Sequence, residues 1–171
     1  MSAKPSSKPH SISLFSIILG ASLMLIRTLS VSIHPSPYDM IHKLDINGII
    51  PPLWLLNLCF SVLFFMLGYS AGVVICKCVS SGKGIYDAVS SYRGGMFFTL
   101  TFFLLIVHYP LFFILERLLL SLIVAILSVI ASIICAISWS RVSPFSTFIM
   151  TACAIFSAYL TLINLLILII N

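Results

Sequence analysis

The chain has 171 residues, of which 61% are hydrophobic and only 8% are charged. So few charged groups cannot cover the surface of a water-soluble globule, and the composition is typical of a membrane protein. A spanning helix takes about 20 apolar residues, so this length accommodates five such helices with short connections and leaves no room for a separate soluble domain. The net charge is +5, but the nine Lys and Arg residues are scattered over termini and connections, which argues against a nucleic-acid-binding protein.

The amino-terminal residues predict a basic tail followed by a first helix. Residues 1–11 combine lysines, prolines and serines, a composition that cannot bury itself. We expect a helix over 12–33, with Arg27 reaching the headgroups or a partner inside the bundle. The short apolar run before Arg27 also fits a signal peptide, although the retained helix is the favoured interpretation.

The next two segments are a long polar connection and a second helix. Residues 34–52 contain prolines and charged residues, and we expect them to form a lid over the mouth of a cavity. Residues 53–76 carry no formal charge and predict a spanning helix. The serines, glycines and charged residues of 77–94 predict a loop.

Three more helices are predicted in the second half of the chain, over 95–115, 118–140 and 145–170. Pro144 suits the first turn of the last helix, where its missing N–H group costs nothing. The sequence therefore predicts an all-α membrane protein in which residues 12–171 form a single bundle of five transmembrane helices.

Polar groups are rare inside the predicted helices, and His108, Asn57 and Asn164 stand out. One interpretation is that each makes an interhelical hydrogen bond worth about 1 kcal/mol. The other is that they orient a ligand in an otherwise apolar pocket. The two interpretations are evenly balanced for Asn57 and His108, whereas the structural role is favoured for Asn164.

The sequence gives little support for metal binding or for catalysis. The five cysteines lack the paired spacing of a zinc site, and no metal site is predicted. Cys76 and Cys78, which form one close pair, could be palmitoylated or bind a soft metal. All four acidic residues lie in connections and no catalytic signature is present, so an enzyme is the less favoured class.

Two ridges of small residues predict close helix contacts. Gly68 and Gly72 form a GxxxG pattern in the second helix, and Ser128, Ser132 and Ala136 share one face of the fourth. Spacing alone leaves open whether these contacts lie inside the bundle or between protomers.

Several short motifs follow one another in a fixed order from Pro51 onward. They are Pro51-Pro52-Leu53-Trp54, Gly68-Tyr69, Tyr109-Pro110-Leu111-Phe112-Phe113, Trp139 with Val142-Ser143-Pro144, and Leu162-Ile163-Asn164. Together, in a five-helix chain of this size, they resemble the second to fifth helices of the translocator protein family, also called tryptophan-rich sensory proteins or peripheral benzodiazepine receptors. The first helix and the lid match that family in length and placement.

The resemblance implies a five-helix bundle, often dimeric, with a ligand cavity that opens toward the first connection. Members bind porphyrins, and many bind cholesterol or synthetic aromatic ligands. We therefore expect a binding or transport-associated protein for a flat hydrophobic ligand, a porphyrin, haem or sterol, with no required cofactor. Its partners would be the bilayer, the ligand and a second copy of the chain. A eukaryotic protein would reside in the mitochondrial outer membrane or another organelle membrane, and a bacterial one in the cell membrane.

Transferred by position, the resemblance also implies a set of ligand-binding residues. They are Trp54, Leu56, Asn57, Phe60, His108, Leu120, Ile123, Phe156, Leu160 and Asn164. Porphyrin photo-oxidation in bacterial members is thought to involve tryptophans, and this chain has only two, so that activity is not expected. The cholesterol-recognition pattern near the end of the fifth helix is likewise incomplete. The alternative function is a structural membrane protein that binds partner subunits and has lost the pocket.

Overall fold

The structure is a computed structural model that describes residues 9–32, 52–81, 85–113 and 115–170. In these ranges all regular secondary structure is helical, which confirms the all-α class. The helices are α1 (Pro9–Ser32), α2 (Leu53–Ser81), α3 (Ile85–Phe113), α4 (Leu118–Trp139) and α5 (Pro144–Ile170).

Four of these helices, α2 to α5, are long and apolar enough to cross a bilayer. Their apolar segments are Trp54–Cys78, Val89–Phe113, Leu118–Trp139 and Pro144–Ile170. The protein is therefore an integral, multi-pass membrane protein. The apolar part of α1 is shorter, Leu14–Ile26, so a fifth span stays a prediction.

The prediction of a loop over 77–94 is wrong for residues 77–81 and 85–94, whereas residues 82–84 lie outside the described residues. α2 continues to Ser81 and α3 already begins at Ile85. The apolar segments do end near Cys78 and resume near Val89, but beyond the hydrocarbon a helix can carry polar side chains at no desolvation cost while keeping its backbone hydrogen bonds. The serines and lysines of this region therefore mark where the chain leaves the bilayer, whereas the helices themselves continue further.

Two other predicted segments fall largely outside the described residues. Of the predicted tail, only the last residues are described, and they belong to α1, which begins at Pro9. Of the predicted lid over 34–52, only Pro52 is described. α4 and α5 begin and end within a residue of their predicted bounds.

The five helices pack as two groups. α1 packs extensively against α2, which we call the α1–α2 pair, and α4 packs extensively against both α3 and α5, which we call the three-helix group. α2 makes far fewer contacts with α3 and α5 than it makes with α1. The seam between α2 and the three-helix group is consequently packed more sparsely than the α1–α2, α3–α4 and α4–α5 contacts.

Glycines bring α1 and α2 together. A Cβ atom added at Gly68 would lie 2.6 Å from the Cα atom of Gly20, and one added at Gly72 would lie 2.6 Å from the Cα atom of Ser16. Both distances are far below van der Waals contact, so only glycine allows the two backbones to approach this closely. The GxxxG ridge therefore acts within one protein chain, as the contact between α1 and α2.

The small-residue ridge of α4 also faces the inside of the bundle. Ser132 Oγ donates a hydrogen bond to Cys153 Sγ on α5, at 3.7 Å. Cys135 Sγ, one turn further along, donates to the carbonyl oxygen of Gly94 on α3, at 3.2 Å. Side-chain hydrogen bonds thus join α4 to both of its neighbours.

Ser143 organises the turn between α4 and α5. Its hydroxyl accepts a hydrogen bond from the backbone N–H of Ser146, at 3.4 Å, as an amino-terminal cap does. Lys77 Nζ, from the last turns of α2, donates to the same hydroxyl at 3.4 Å. The start of α5 is therefore tied to the end of α2 on this side of the membrane.

Candidate functional site

A small cavity lies at the seam between α2 and the three-helix group. It is lined by Leu56, Phe60, His108, Phe112, Phe113, Leu160, Ile163 and Asn164. Its volume is about 10 Å³, which is room for a single water-sized sphere. In this conformation the cavity is nearly closed.

Aromatic rings contribute three of the six apolar residues in the cavity wall. Phe112 and Phe113 on α3 meet edge to face, with ring centroids 4.7 Å apart. Phe60 on α2 is edge to face with Phe156 on α5, at 4.9 Å. Edge-to-face pairs of this kind favour a fixed ring arrangement by about 0.5–1.5 kcal/mol beyond the burial of their area.

One cluster of polar side chains interrupts this wall. Asn164 Nδ2 lies 2.9 Å from His108 Nε2, and because an amide nitrogen can only donate, the imidazole accepts at Nε2 and carries its proton on Nδ1. Ser121 Oγ donates to Asn164 Oδ1 at 3.2 Å. All three side chains are buried, His108 and Asn164 with 4% and 1% of their surface exposed. We call these three residues the polar cluster.

The polar cluster draws one residue from each member of the three-helix group: His108 from α3, Ser121 from α4 and Asn164 from α5. The His108 ring also stacks on Phe112, one turn along α3, with an interplanar angle of 10°. A polar group in contact with acyl chains would be left unpaired at a cost of roughly 2 kcal/mol or more, so these residues favour the interior. Among the described residues no group of three His, Cys, Asp or Glu side chains could hold a metal ion.

The cavity brings together part of the predicted binding set. Leu56, Phe60, His108, Leu160 and Asn164 all line it. Phe156 packs on Phe60 beside the cavity, and Asn57 is half-buried next to Leu56 without lining the cavity.

Three predicted residues point elsewhere. Leu120 and Ile123 are 47% and 45% exposed, because α4 turns Ser121 and Val124 inward and these two lie on the other side of the helix. Trp54, at the start of α2, is 68% exposed. The resemblance assigned all three to the ligand site, and in this structure none of them lines the cavity, so their role in binding stays a prediction.

Sequence reasoning did not assign four residues to the site that the structure places there: Ser121, Phe112, Phe113 and Ile163. Helical periodicity could have indicated three of them. Phe112 lies one turn after His108, Ile163 one turn after Leu160, and Ser121 two turns before Ser128 on the face of the small-residue ridge. Nothing in the sequence pairs Asn164 with His108, because that contact depends on how α3 and α5 are rotated relative to one another.

Comparison with known proteins adds one finding. The model of the TspO/MBR family matches residues 13–170, which include nearly all of α1 as well as the four long helices. No curated protein and no solved structure matches the chain significantly. The family match spans the whole bundle, and the chain therefore belongs to the TspO/MBR family, the translocator protein family that its motifs resemble.

Proposed function

We propose that this protein binds a flat hydrophobic molecule with polar edge groups, a porphyrin in preference to a sterol, and holds or carries it within the bilayer. The observation that carries the proposal is the buried contact between His108 and Asn164 on the wall of an otherwise apolar, aromatic cavity. Family membership and the spanning helices support a ligand-binding or transport-associated role in a membrane.

The chemistry of the cavity suits such a ligand. The rings of Phe60, Phe112 and Phe113 offer faces and edges to a planar conjugated system. His108 and Asn164 hydrogen-bond to each other, so a ligand carboxylate or pyrrole nitrogen would replace one hydrogen bond by another. With haem, His108 is the residue that would hold the iron, through the ring nitrogen that now faces Asn164.

The cavity must widen to admit such a ligand, because sites for small molecules typically enclose about 300–1,000 Å³. The eight lining residues come from α2, α3 and α5, so the cavity lies on the sparsely packed seam. Movement of the α1–α2 pair away from the three-helix group would enlarge it without separating helices that pack extensively. We infer that binding is coupled to this opening.

Titration of the purified protein in phosphatidylcholine nanodiscs with protoporphyrin IX, haemin and cholesterol tests the proposal. We expect saturable binding of protoporphyrin IX, weakened about tenfold or more by His108→Phe, since the loss of one good hydrogen bond corresponds to about 1.4 kcal/mol. Ser146→Ala is the matched control, because its hydroxyl is equally buried but bonds to the Ser70 carbonyl oxygen away from the cavity. The control should bind within twofold of the parent.

Two results would contradict the proposal. One is the absence of saturable binding of all three compounds. The other is a His108→Phe variant with unchanged porphyrin affinity and an unchanged spectrum of bound haem, but lower thermal stability, which would make the residue structural.

A second candidate function, a structural protein that binds partner subunits, is favoured by two observations. The cavity volume is only about 10 Å³, and the members of the polar cluster hydrogen-bond to one another. This alternative predicts no saturable binding in the titration above and a thermal stability that no porphyrin or sterol raises.

A further inference from the structure

A second, much larger depression lies between α2 and α5 on the outer surface of the bundle, facing the lipid. It is lined by Leu58, Cys59, Val62, Leu63, Met66, Phe148, Ile149, Ala152 and Phe156. Its volume is about 450 Å³, within the range of small-molecule sites, and its walls carry no charged side chain. We call it the α2–α5 groove.

One pair of rings separates the groove from the inner cavity. Phe156 belongs to the groove wall, and its ring packs edge to face on Phe60, which lines the cavity. Leu160, one turn after Phe156, and Leu56, one turn before Phe60, line the cavity as well. The same two helices thus carry both spaces.

The ring pair is a weak barrier. An edge-to-face contact contributes about 0.5–1.5 kcal/mol beyond area burial, and the Phe156 ring is only half-buried, so it has space on the groove side into which to turn. It also stands on the sparsely packed seam between α2 and α5, where widening of the inner cavity requires movement in any case.

The chemistry of the groove identifies its occupant. The ring system of the proposed ligand favours the hydrocarbon by about 25 cal/mol for each Å² of its apolar surface, so the ligand is concentrated in the bilayer, with its polar edge groups toward the headgroups. A charge-free groove of ligand size that opens to lipid and adjoins the cavity suits such a molecule on its way inward.

Building on the function proposed above, we propose that the α2–α5 groove is the entry site through which the flat hydrophobic ligand passes from the bilayer into the cavity, with Phe156 as the gate against Phe60.

A substitution that fills the α2–α5 groove tests this proposal. Ala152 is exposed on the groove wall, one turn from both Phe148 and Phe156, so Ala152→Trp places a large ring in the groove without touching the cavity lining. Ile155→Trp is the matched control, because Ile155 is 67% exposed on the same turn of α5 but does not line the groove. Protein in phosphatidylcholine vesicles is mixed with vesicles that carry protoporphyrin IX, and the change in porphyrin absorption is followed in time.

We expect Ala152→Trp to slow association and dissociation by tenfold or more while Kd stays within twofold, and Ile155→Trp to match the parent. Phe156→Ala, which removes the gate, should accelerate association.

The experiment distinguishes failure of the proposed function from failure of the entry route. If the parent binds no protoporphyrin, the proposed function fails and the route fails with it. If the parent binds but Ala152→Trp associates as fast as Ile155→Trp, only the route is overturned. If Ala152→Trp abolishes equilibrium binding, the groove is the binding site and not a passage. A changed oligomeric state in Ala152→Trp would make the groove an interface between copies of the chain, which also overturns the proposal.

Discussion

The α1–α2 pair and the three-helix group are held together by different chemistry. Glycines bring the backbones of α1 and α2 into contact, whereas serine, cysteine and amide side chains form hydrogen bonds between α3, α4 and α5. Lipid tails are as apolar as leucine, so neither junction is driven by the hydrophobic effect, and each depends on van der Waals contact or on hydrogen bonds. The second kind of junction contains the imidazole and amide groups that a ligand could engage, which is why the candidate site lies on the three-helix group.

The sharpest test of the glycine junction compares one substitution at two places. Gly68→Ala should lower the free energy of unfolding by about 3 kcal/mol, because its Cβ would meet the backbone of α1, which cannot move aside without separating the helices. Gly95→Ala, where the added Cβ has no neighbour within 4 Å, should raise it by up to about 1 kcal/mol through helix propensity. Thermal unfolding in detergent measures both. Similar effects from the two variants would refute the close approach of α1 and α2.

A substitution at Gly94 tests whether a glycine is also required for close packing within the three-helix group. An added Cβ there would overlap the indole ring of Trp139, which stacks on Phe98 with 5.4 Å between centroids. Since that ring is fully buried, we expect Gly94→Ala to lower the free energy of unfolding by about 2 kcal/mol. In the background of Trp139→Phe the same change should cost markedly less, and purely additive losses would contradict the contact.

The polar cluster should show its coupling in a double-mutant cycle. His108→Phe and Asn164→Leu each leave a buried partner without its hydrogen bond, so each should lower the free energy of unfolding by about 1–2 kcal/mol. The double variant should lose about 1 kcal/mol less than the sum of the two. Melting curves of the four proteins in one detergent decide this, and additivity within about 0.3 kcal/mol would mean that the two side chains do not interact.

The smallest effect is expected at the turn between α4 and α5. Ser143→Ala removes the cap of α5 and an acceptor for Lys77, and it should lower the free energy of unfolding by about 0.5–1 kcal/mol. Ser140→Ala, whose exposed hydroxyl bonds only within its own helix, should change it by less than about 0.3 kcal/mol. Equal melting temperatures for the two variants would contradict the capping role of Ser143.

The sequence predicted the helices well where a chemical boundary coincides with the end of a helix. The turn from Trp139 to Pro144 is polar, capped and short, so the end of α4 and the start of α5 were predicted to within a residue. The junction of α2 and α3 was not predicted, since leaving the bilayer does not end a helix.

For the candidate site too, some features could be predicted from the sequence and others could not. His108 and Asn164 were singled out because polar side chains are rare and costly inside a membrane. Leu120 and Ile123 were assigned to the ligand site through the family resemblance, and in this structure α4 turns both of them away from the cavity. That direction depends on the packing of α4 against two neighbours at once.

The length of α4 limits the bilayer thickness that the bundle matches. α2, with 29 residues, is about 43 Å long and can tilt or protrude, whereas α4, with 22 residues, is about 33 Å long. α4 is also bracketed by the exposed Arg117 and Arg141, which anchor its ends at the two headgroup layers. The hydrophobic thickness of the bundle is therefore set by its shortest helix. A thinner bilayer would force α4 to tilt inside a tightly packed group.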